Sequence, residues 1–241
     1  MTRHSSFCSV LRSEVRRPAV AAALAAALVA FGPRPGEAAC PSCGSVSGSV
    51  AVEQAYIRTD GPKHDRDVVV MLEPVGSEAS AAREFHATMD QTGLIFTPHV
   101  LAVPRGATVT FLNNDKEQHN VYFLDDRTGD TLDIGTWGPG VSVDHTFDSP
   151  GMVITLCKLH LEMAAYVVVS PSPWFAQVAF ESSDTAISFE VDNVPPGEYE
   201  LSVWHKKLKQ KGGVIRIEVE TGTDTEVDIV ITQSKFAGAS R

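Results

Sequence analysis

One seven-residue segment carries three side chains that bind soft metal ions. Within Cys157–Met163 stand a cysteine, a histidine and a methionine, at Cys157, His160 and Met163. Thiolate and thioether sulfur are soft ligands and imidazole is borderline, a combination that suits copper. Because strand-like patterns flank the segment on both sides, we predict a connecting loop that presents the three side chains together.

A fourth candidate ligand lies upstream of this loop. His119 opens the strand pattern Asn120–Leu124. Two imidazoles, one thiolate and a weak axial thioether form the ligand set of copper electron-transfer sites. Three donors from one loop and one from a neighbouring strand can be held rigid by a β-sandwich, which keeps the rearrangement on electron transfer small.

Two other interpretations of the same residues are open. Cys157 and Met163 could be ordinary core residues and His160 a surface histidine, because buried cysteine and methionine are common. Glu162 could also turn inward in place of Met163, which would give a harder site similar to the red-copper variants.

Short strand patterns separated by Gly- and Pro-rich turns surround the candidate ligands, and they predict an all-β fold of sandwich type. The predicted strands are Val46–Val52, Val68–Leu72, Val100–Val103, Ala107–Leu112, Asn120–Leu124, Val141–Phe147, Met152–Leu156, Ala164–Val169, Ala186–Val191, Tyr199–Trp204, Val214–Val219 and Glu226–Ile231. Only Glu78–Met89 has helical composition, and we expect a short helix or a loop there.

Several motifs follow one another in a recognisable order through residues 91–170. Phe96–Gly106 and Val109–Asp115 are followed by Gln118–Val121 and then by the Cys-x-x-His-x-x-Met loop. In this order they resemble the cupredoxins, in particular the plastocyanin/amicyanin branch. The resemblance implies a Greek-key β-sandwich that binds one copper ion, cycles between Cu(I) and Cu(II), and carries single electrons between redox partners.

The resemblance also implies roles for individual residues. The four copper ligands would be His119, Cys157, His160 and Met163. Asn120 would tie the two ligand-bearing segments together. His160 would be the more exposed ligand and the point where the electron leaves. The chain departs from the family at Leu159 and Leu161, because a proline often stands beside the ligand histidine in loops of this length.

A second β unit is predicted on both sides of the cupredoxin-like region. Val194–His205 contains a Pro-Pro-Gly-x-Tyr-x-Leu pattern, and Gly44–Val50 precedes a valine-rich strand. Both resemble the carboxypeptidase regulatory-like, or transthyretin-like, sandwiches. We hypothesise that one such sandwich, residues 44–75 and 174–233, is split by insertion of the copper-binding domain, residues 91–170. The alternative is that residues 44–75 pair with the cupredoxin sheet.

Residues 1–39 have the features of an export signal. Arginines precede the 13-residue apolar run Ala19–Phe31, which is short for a membrane span, and Gly36–Ala38 offers a small-x-small cleavage site. We therefore expect an exported, periplasmic protein. The alternative is an N-terminal membrane anchor that is never removed.

Two cysteines follow directly after the predicted cleavage site. In an oxidising compartment Cys40 and Cys43 can close a small disulfide, which is the interpretation we favour. A redox-active pair and a lipidated Cys40 are the alternatives.

Composition restricts the function further. The chain has 241 residues, is 43% hydrophobic and carries a formal charge of −10, which argues against disorder and against general nucleic-acid binding. Without residues 1–39 it holds 15 basic and 28 acidic residues. The acidic balance favours a redox partner with a basic surface, such as a cytochrome or a dehydrogenase.

Catalysis is not expected, because four protein ligands leave no open position for a substrate. The alternative function is copper binding, delivery or storage in the cell envelope without redox cycling. An enzyme with an open copper site would require a ligand other than Met163, or a vacant position.

Overall fold

The computed structural model describes residues 12–15, 40–52, 66–76, 84–181, 184–206, 208 and 214–231. Strands are the regular elements of these residues, in agreement with the predicted all-β class. They are β1 (Arg12–Val15), β2 (Gly44–Val52), β3 (Asp67–Pro74), β4 (His86–Gln91), β5 (Phe96–Thr97), β6 (Val100–Pro104), β7 (Ala107–Asn113), β8 (His119–Asp125), β9 (Thr131–Trp137), β10 (Ser142–Phe147), β11 (Gly151–Leu156), β12 (Ala164–Ser170), β13 (Phe175–Ala179), β14 (Ala186–Val194), β15 (Gly197–His205), β16 (Ile215–Val219) and β17 (Asp224–Ile231).

The chain divides into two compact units. One comprises Met1–Val70 together with Ala176–Arg241, and the other comprises Met71–Phe175. The candidate ligands all belong to the second of these, which we call the 71–175 unit.

The 71–175 unit is a sandwich of two sheets. One has the strand order β10-β7-β4-β5 and the other β6-β12-β11-β8-β9. Strand β7 alternates buried and partly buried residues along its length, as expected for a strand with one face in a core. Phe111, Phe123 and Phe147 form an aromatic cluster within that core, and Cys157 and Met163 belong to the same core.

Strand β4 corrects one sequence-based expectation. The helical composition of Glu78–Met89 favoured a short helix or a loop, and residues 77–83 lie outside the described part of the chain. His86–Gln91 is a strand that pairs in parallel with β7. Met89 and Gln91 are fully buried there, so pairing and burial against β7 override the local composition.

The strands of the other unit come from both ends of the chain. Strand β2 pairs antiparallel with β14 and in parallel with β17, and β3 lies between β13 and β15. Among the described residues, neither β2 nor β3 joins the two sheets built from β4 to β12. Strand β2 therefore pairs with β17, and β3 with β15, as the split-sandwich hypothesis requires.

The structure describes part of the predicted leader and both cysteines that follow it. Of the predicted leader, only Arg12–Val15 is described, as a strand beside β17, and the rest of residues 1–39 lies outside the described residues. Cys40 and Cys43 form a disulfide just before β2, which confirms the favoured pairing. The described part of the chain includes no helix with the length and apolar character needed to cross a bilayer.

Candidate metal centre

Three elements bring the candidate ligands to one end of the 71–175 unit. His119 is the first residue of β8, Cys157 directly follows β11, and Met163 directly precedes β12. Since β8, β11 and β12 are adjacent in one sheet, the loop between β11 and β12 closes over the start of β8. His160 lies in that loop, and its backbone carbonyl accepts a hydrogen bond from the Met163 N–H at 3.0 Å.

The ligand atoms converge within the described structure. One side-chain donor atom each from His119, Cys157 and His160 lies within 4.8 Å of the other two. The two histidines approach through their Nδ1 atoms, which are 3.0 Å apart, and the Cys157 sulfur is 3.9 Å from His160 Nδ1. At these separations His119, Cys157 and His160 could together hold one metal ion.

Burial distinguishes Met163 from Glu162 as the candidate fourth ligand. Met163 is 1% exposed and belongs to the hydrophobic core, whereas Glu162 is exposed. The inward turn of Glu162 considered from the sequence is therefore not observed. A thioether in this position is a soft, weak donor.

The two histidines differ in exposure. His119 is fully buried, with its ring centroid 4.8 Å from that of His160. His160 is partly exposed. A buried imidazole whose nitrogen faces a second imidazole and a cysteine is not accounted for by the alternative of ordinary core residues beside a surface histidine.

Asp115 fixes the orientation of the His119 ring. Its Oδ2 lies 3.1 Å from His119 Nε2, so we infer that Nε2 carries the proton and that the Nδ1 lone pair faces His160. The backbone N–H groups of Leu94 and Lys116 donate to the same carboxylate and, with the His119 contact, lower the pKa of Asp115 to about 2. Asp115 was not predicted as a site residue, because nothing in its spacing from His119 on a loop predicts this contact.

Asn120 joins the two ligand-bearing segments. Its Oδ1 accepts a hydrogen bond from the Lys158 backbone N–H at 3.3 Å, next to Cys157. The contact links the start of β8 to the ligand loop, which is the tie that the family resemblance implies for Asn120.

The donor set fits copper. A thiolate, two imidazoles and a buried thioether match the soft and borderline ligands that select this metal, and His119, Cys157, His160 and Met163 form a cluster typical of one type 1 copper site. Residues 83–170 match the family described as copper binding proteins, plastocyanin/azurin family. This region is a cupredoxin domain.

Solved structures similar to the chain include other copper proteins. A purple cupredoxin from Nitrosopumilus maritimus is 24% identical and covers 35% of this chain and 99% of its own, with a TM-score of 0.32. A point mutant of amicyanin in its reduced Cu(I) form is 24% identical and covers 42% of this chain and 98% of its own, with a TM-score of 0.34.

A copper-containing nitrite reductase from Thermus scotoductus is 27% identical over 40% of this chain, with a TM-score of 0.34. The match spans only 25% of the reductase chain. A comparison with curated proteins found no match.

Proposed function

We propose that the cupredoxin domain is an electron carrier that exchanges single electrons with larger redox proteins. The observation that carries the proposal is the convergence of the three donor atoms of His119, Cys157 and His160, with Met163 buried at the end of the same loop. When bound, copper supplies a one-electron Cu(I)/Cu(II) couple. The chain would hold it with His119, Cys157, His160 and the buried Met163, and four protein ligands would leave no position for a substrate.

His160 is the candidate route for the electron. Unlike His119, it reaches the protein surface, and its two neighbours Leu159 and Leu161 are 53% and 84% exposed. Exposed leucines cost little to desolvate and exclude water when a partner covers them. We therefore propose that a redox partner packs on Leu159 and Leu161 and brings its own centre close to the His160 ring.

Charge favours a basic partner. Residues 83–170 hold 11 acidic and 5 basic side chains. An excess of negative charge attracts a basic surface and speeds the encounter at low ionic strength. A cytochrome or a dehydrogenase with a basic face is the partner class that we propose.

The location we propose is outside the cytoplasm. The leader-like residues 1–39 support export, and the Cys40–Cys43 disulfide supports an oxidising compartment.

For the unit that surrounds the domain in sequence, we propose a transthyretin-like scaffold or docking module. The Pro-Pro-Gly-x-Tyr-x-Leu pattern of residues 195–201 supports this type, and the Tyr199 hydroxyl donates to the Pro195 carbonyl at 2.9 Å.

Copper titration followed by voltammetry tests the function. Added Cu(II) is expected to produce an intense visible thiolate-to-copper band at one ion per chain, with reversible one-electron cycling. Tight Cu(I) binding without reversible cycling would instead support copper capture and delivery, and an exchangeable water on copper would support an open-site enzyme.

Replacing Met163 by leucine is expected to leave copper bound and to raise the reduction potential. Leucine has a volume close to that of methionine, so the buried side chain is replaced without a large cavity. Loss of a weak donor disfavours Cu(II) more than Cu(I), so we expect the reduction potential to rise by on the order of 100 mV. At about 59 mV per factor of ten, this corresponds to a roughly fiftyfold change in the ratio of the Cu(I) and Cu(II) affinities. Voltammetry measures the shift, and loss of all copper would contradict the assignment of Met163 as a weak ligand.

Replacing Leu161 by alanine is expected to slow electron transfer without changing the potential. The side chain is 84% exposed, so its removal affects docking rather than the core. We expect the second-order rate constant with a basic cytochrome as the probe to fall by roughly tenfold, as for the truncation of an interface anchor.

Leu132→Ala is the matched control for this experiment. Leu132 is also an exposed leucine of the domain, but it pairs with Phe123, four residues beyond His119 along β8. The Leu132→Ala substitution should leave the second-order rate constant of electron transfer unchanged. Equal slowing by both variants would exclude a specific docking role for Leu161.

A further inference from the structure

A bulge in the β8–β9 hairpin changes which face of the sheet Asp133 lies on. Val121 is opposite Gly135, but the next residue of β8, Tyr122, is opposite Asp133, so Ile134 is an extra residue on β9. Side chains alternate between faces along a strand, and a one-residue shift therefore moves Asp133 to the face that carries Asn120 and Tyr122. In an unbroken ladder Asp133 would lie on the opposite face.

The backbone at Gly135 suits this bulge. Gly135 has a φ of 121°, a conformation that side-chain-bearing residues rarely adopt, and its N–H donates to Asp133 Oδ1 at 2.9 Å. The Asp133 carboxylate thus accepts a hydrogen bond from the bulge that positions it.

The same carboxylate contacts Asn120 and Lys158. Asp133 Oδ1 accepts from Asn120 Nδ2 at 2.9 Å, and its Oδ2 accepts from Lys158 Nζ at 2.6 Å. Donation from Lys158, and then from Asn120 and Gly135, lowers the pKa of Asp133 below its ordinary value. A charged acceptor makes stronger hydrogen bonds than a neutral one.

These acceptors determine the orientation of the Asn120 amide. Its Nδ2 faces Asp133, the Gly135 carbonyl at 2.8 Å and the Thr136 hydroxyl at 3.3 Å. Because the neighbouring atoms on this side are oxygens, the amide NH₂ group must face them to donate hydrogen bonds. The amide oxygen therefore faces the Lys158 backbone N–H. A flipped amide would oppose oxygen to oxygen on one side and donor to donor on the other.

We propose that Asp133 is a positioning residue for the ligand loop: together with the Gly135 carbonyl and the Thr136 hydroxyl, it holds the Asn120 amide in the orientation that accepts the N–H next to Cys157. The inference rests on the proposed function, since it concerns how the chain holds its copper ligands. Asp133 touches none of the four candidate ligands in a described hydrogen bond and acts through Asn120.

Asp133 also contacts the ligand loop directly, through the ion pair with Lys158 Nζ, but this contact contributes less than the hydrogen bond to Asn120. The side chains of Lys158 and Asp133 are 55% and 41% exposed, and ion pairs with this exposure contribute little because water and salt screen them. The Asn120 side chain, by contrast, is buried. Loss of the Asp133 carboxylate should therefore matter much more than loss of the Lys158 ammonium.

Amide hydrogen exchange in the copper-free full chain tests the proposal. In Asp133→Ala, exchange of the residue 158 amide is expected to accelerate by about tenfold or more, as when a charge-assisted hydrogen bond is lost. Asp133→Asn keeps an acceptor for Asn120 and should change the rate by less than about threefold. Lys158→Met keeps the backbone N–H and should also stay within about threefold.

Asp130→Ala is the matched control, because it removes the same charge from the same hairpin and no described contact joins its carboxylate to Asn120. If Asp133→Ala exchanges at residue 158 no faster than Asp130→Ala, the proposal is overturned. It is equally overturned if Asp133→Ala accelerates exchange by the same factor throughout β8 and β11, since that would report general destabilisation.

A second readout uses the copper-loaded protein. Release of copper to a chelator should be roughly tenfold faster in Asp133→Ala than in the native chain, in the range found when partners of metal ligands are removed. Unchanged release would overturn the role at the site. If the native chain shows no copper band or no reversible cycling, the proposed function fails, while the copper-free exchange rates still decide whether Asp133 positions the loop.

Discussion

Replacing Cys157 by serine is expected to abolish the intense visible band of the copper-loaded protein completely. The band requires a thiolate bound to Cu(II), and Cys157 is the free cysteine of the described residues. A serine hydroxyl is a hard and weakly acidic donor, so it cannot replace the thiolate at neutral pH. Absorption spectroscopy during a Cu(II) titration measures the effect.

The control for this substitution is the double variant Cys40→Ser, Cys43→Ser. Their sulfur atoms are paired with each other in a disulfide, so the band should be retained when both are removed. A band that persists in Cys157→Ser, or disappears in the double variant, would contradict the assignment of the thiolate ligand.

Replacing His160 by glycine is expected to remove the native copper spectrum, and added imidazole should restore most of it. His160 is partly exposed and lies in a surface loop, so its loss opens a position that a small ligand can reach from solvent. Titration with imidazole at a fixed copper concentration, followed in the visible range, measures the recovery.

His119→Gly is the matched comparison, and imidazole should fail to rescue it. His119 is 0% exposed and its ring contacts Asp115, so the substitution leaves a cavity and removes one of the hydrogen-bond partners of the Asp115 carboxylate. We expect the copper-free variant to lose about 2–5 kcal/mol of unfolding free energy, in the range for large-to-small core substitutions. Equal rescue of both variants would show that the two histidines do not differ in access as the structure indicates.

The ligand loop could be predicted because its chemistry is local. Three donor types within Cys157–Met163, between two strand patterns, require only a turn to come together. The structure places Cys157 and His160 beside His119, which the sequence positioned at the start of the adjacent strand.

Other features of the domain depend on pairing between distant residues. The helical composition near Met89 was misleading, because the parallel pairing of β4 with β7 is set by contacts about twenty residues apart. Strand β9 was not predicted either, since Asp133 and Gly135 interrupt the alternation of apolar residues that marks a strand.

The unit built from both ends of the chain shows the same contrast between local patterns and distant pairing. The glycine-rich pattern of Gly44–Val50 was sufficient to suggest a strand of a second sandwich. Its parallel partner β17 lies near the other end of the chain, with Ser45 opposite Asp224. A pattern within one segment carries no information on which remote strand it pairs with, so the sequence alone left the alternative pairing open.

The sequence by itself indicated copper chemistry, the all-β class and four candidate ligands, with Glu162 as the alternative to Met163, because ligand type and strand periodicity are properties of short segments. Only the tertiary structure decided that Asp115 orients His119 and that a single extra residue in β9 places Asp133 against Asn120. Both contacts join residues on different parts of the fold, and the second depends on the register of a strand pair, in which a shift of one residue exchanges the two faces of the sheet.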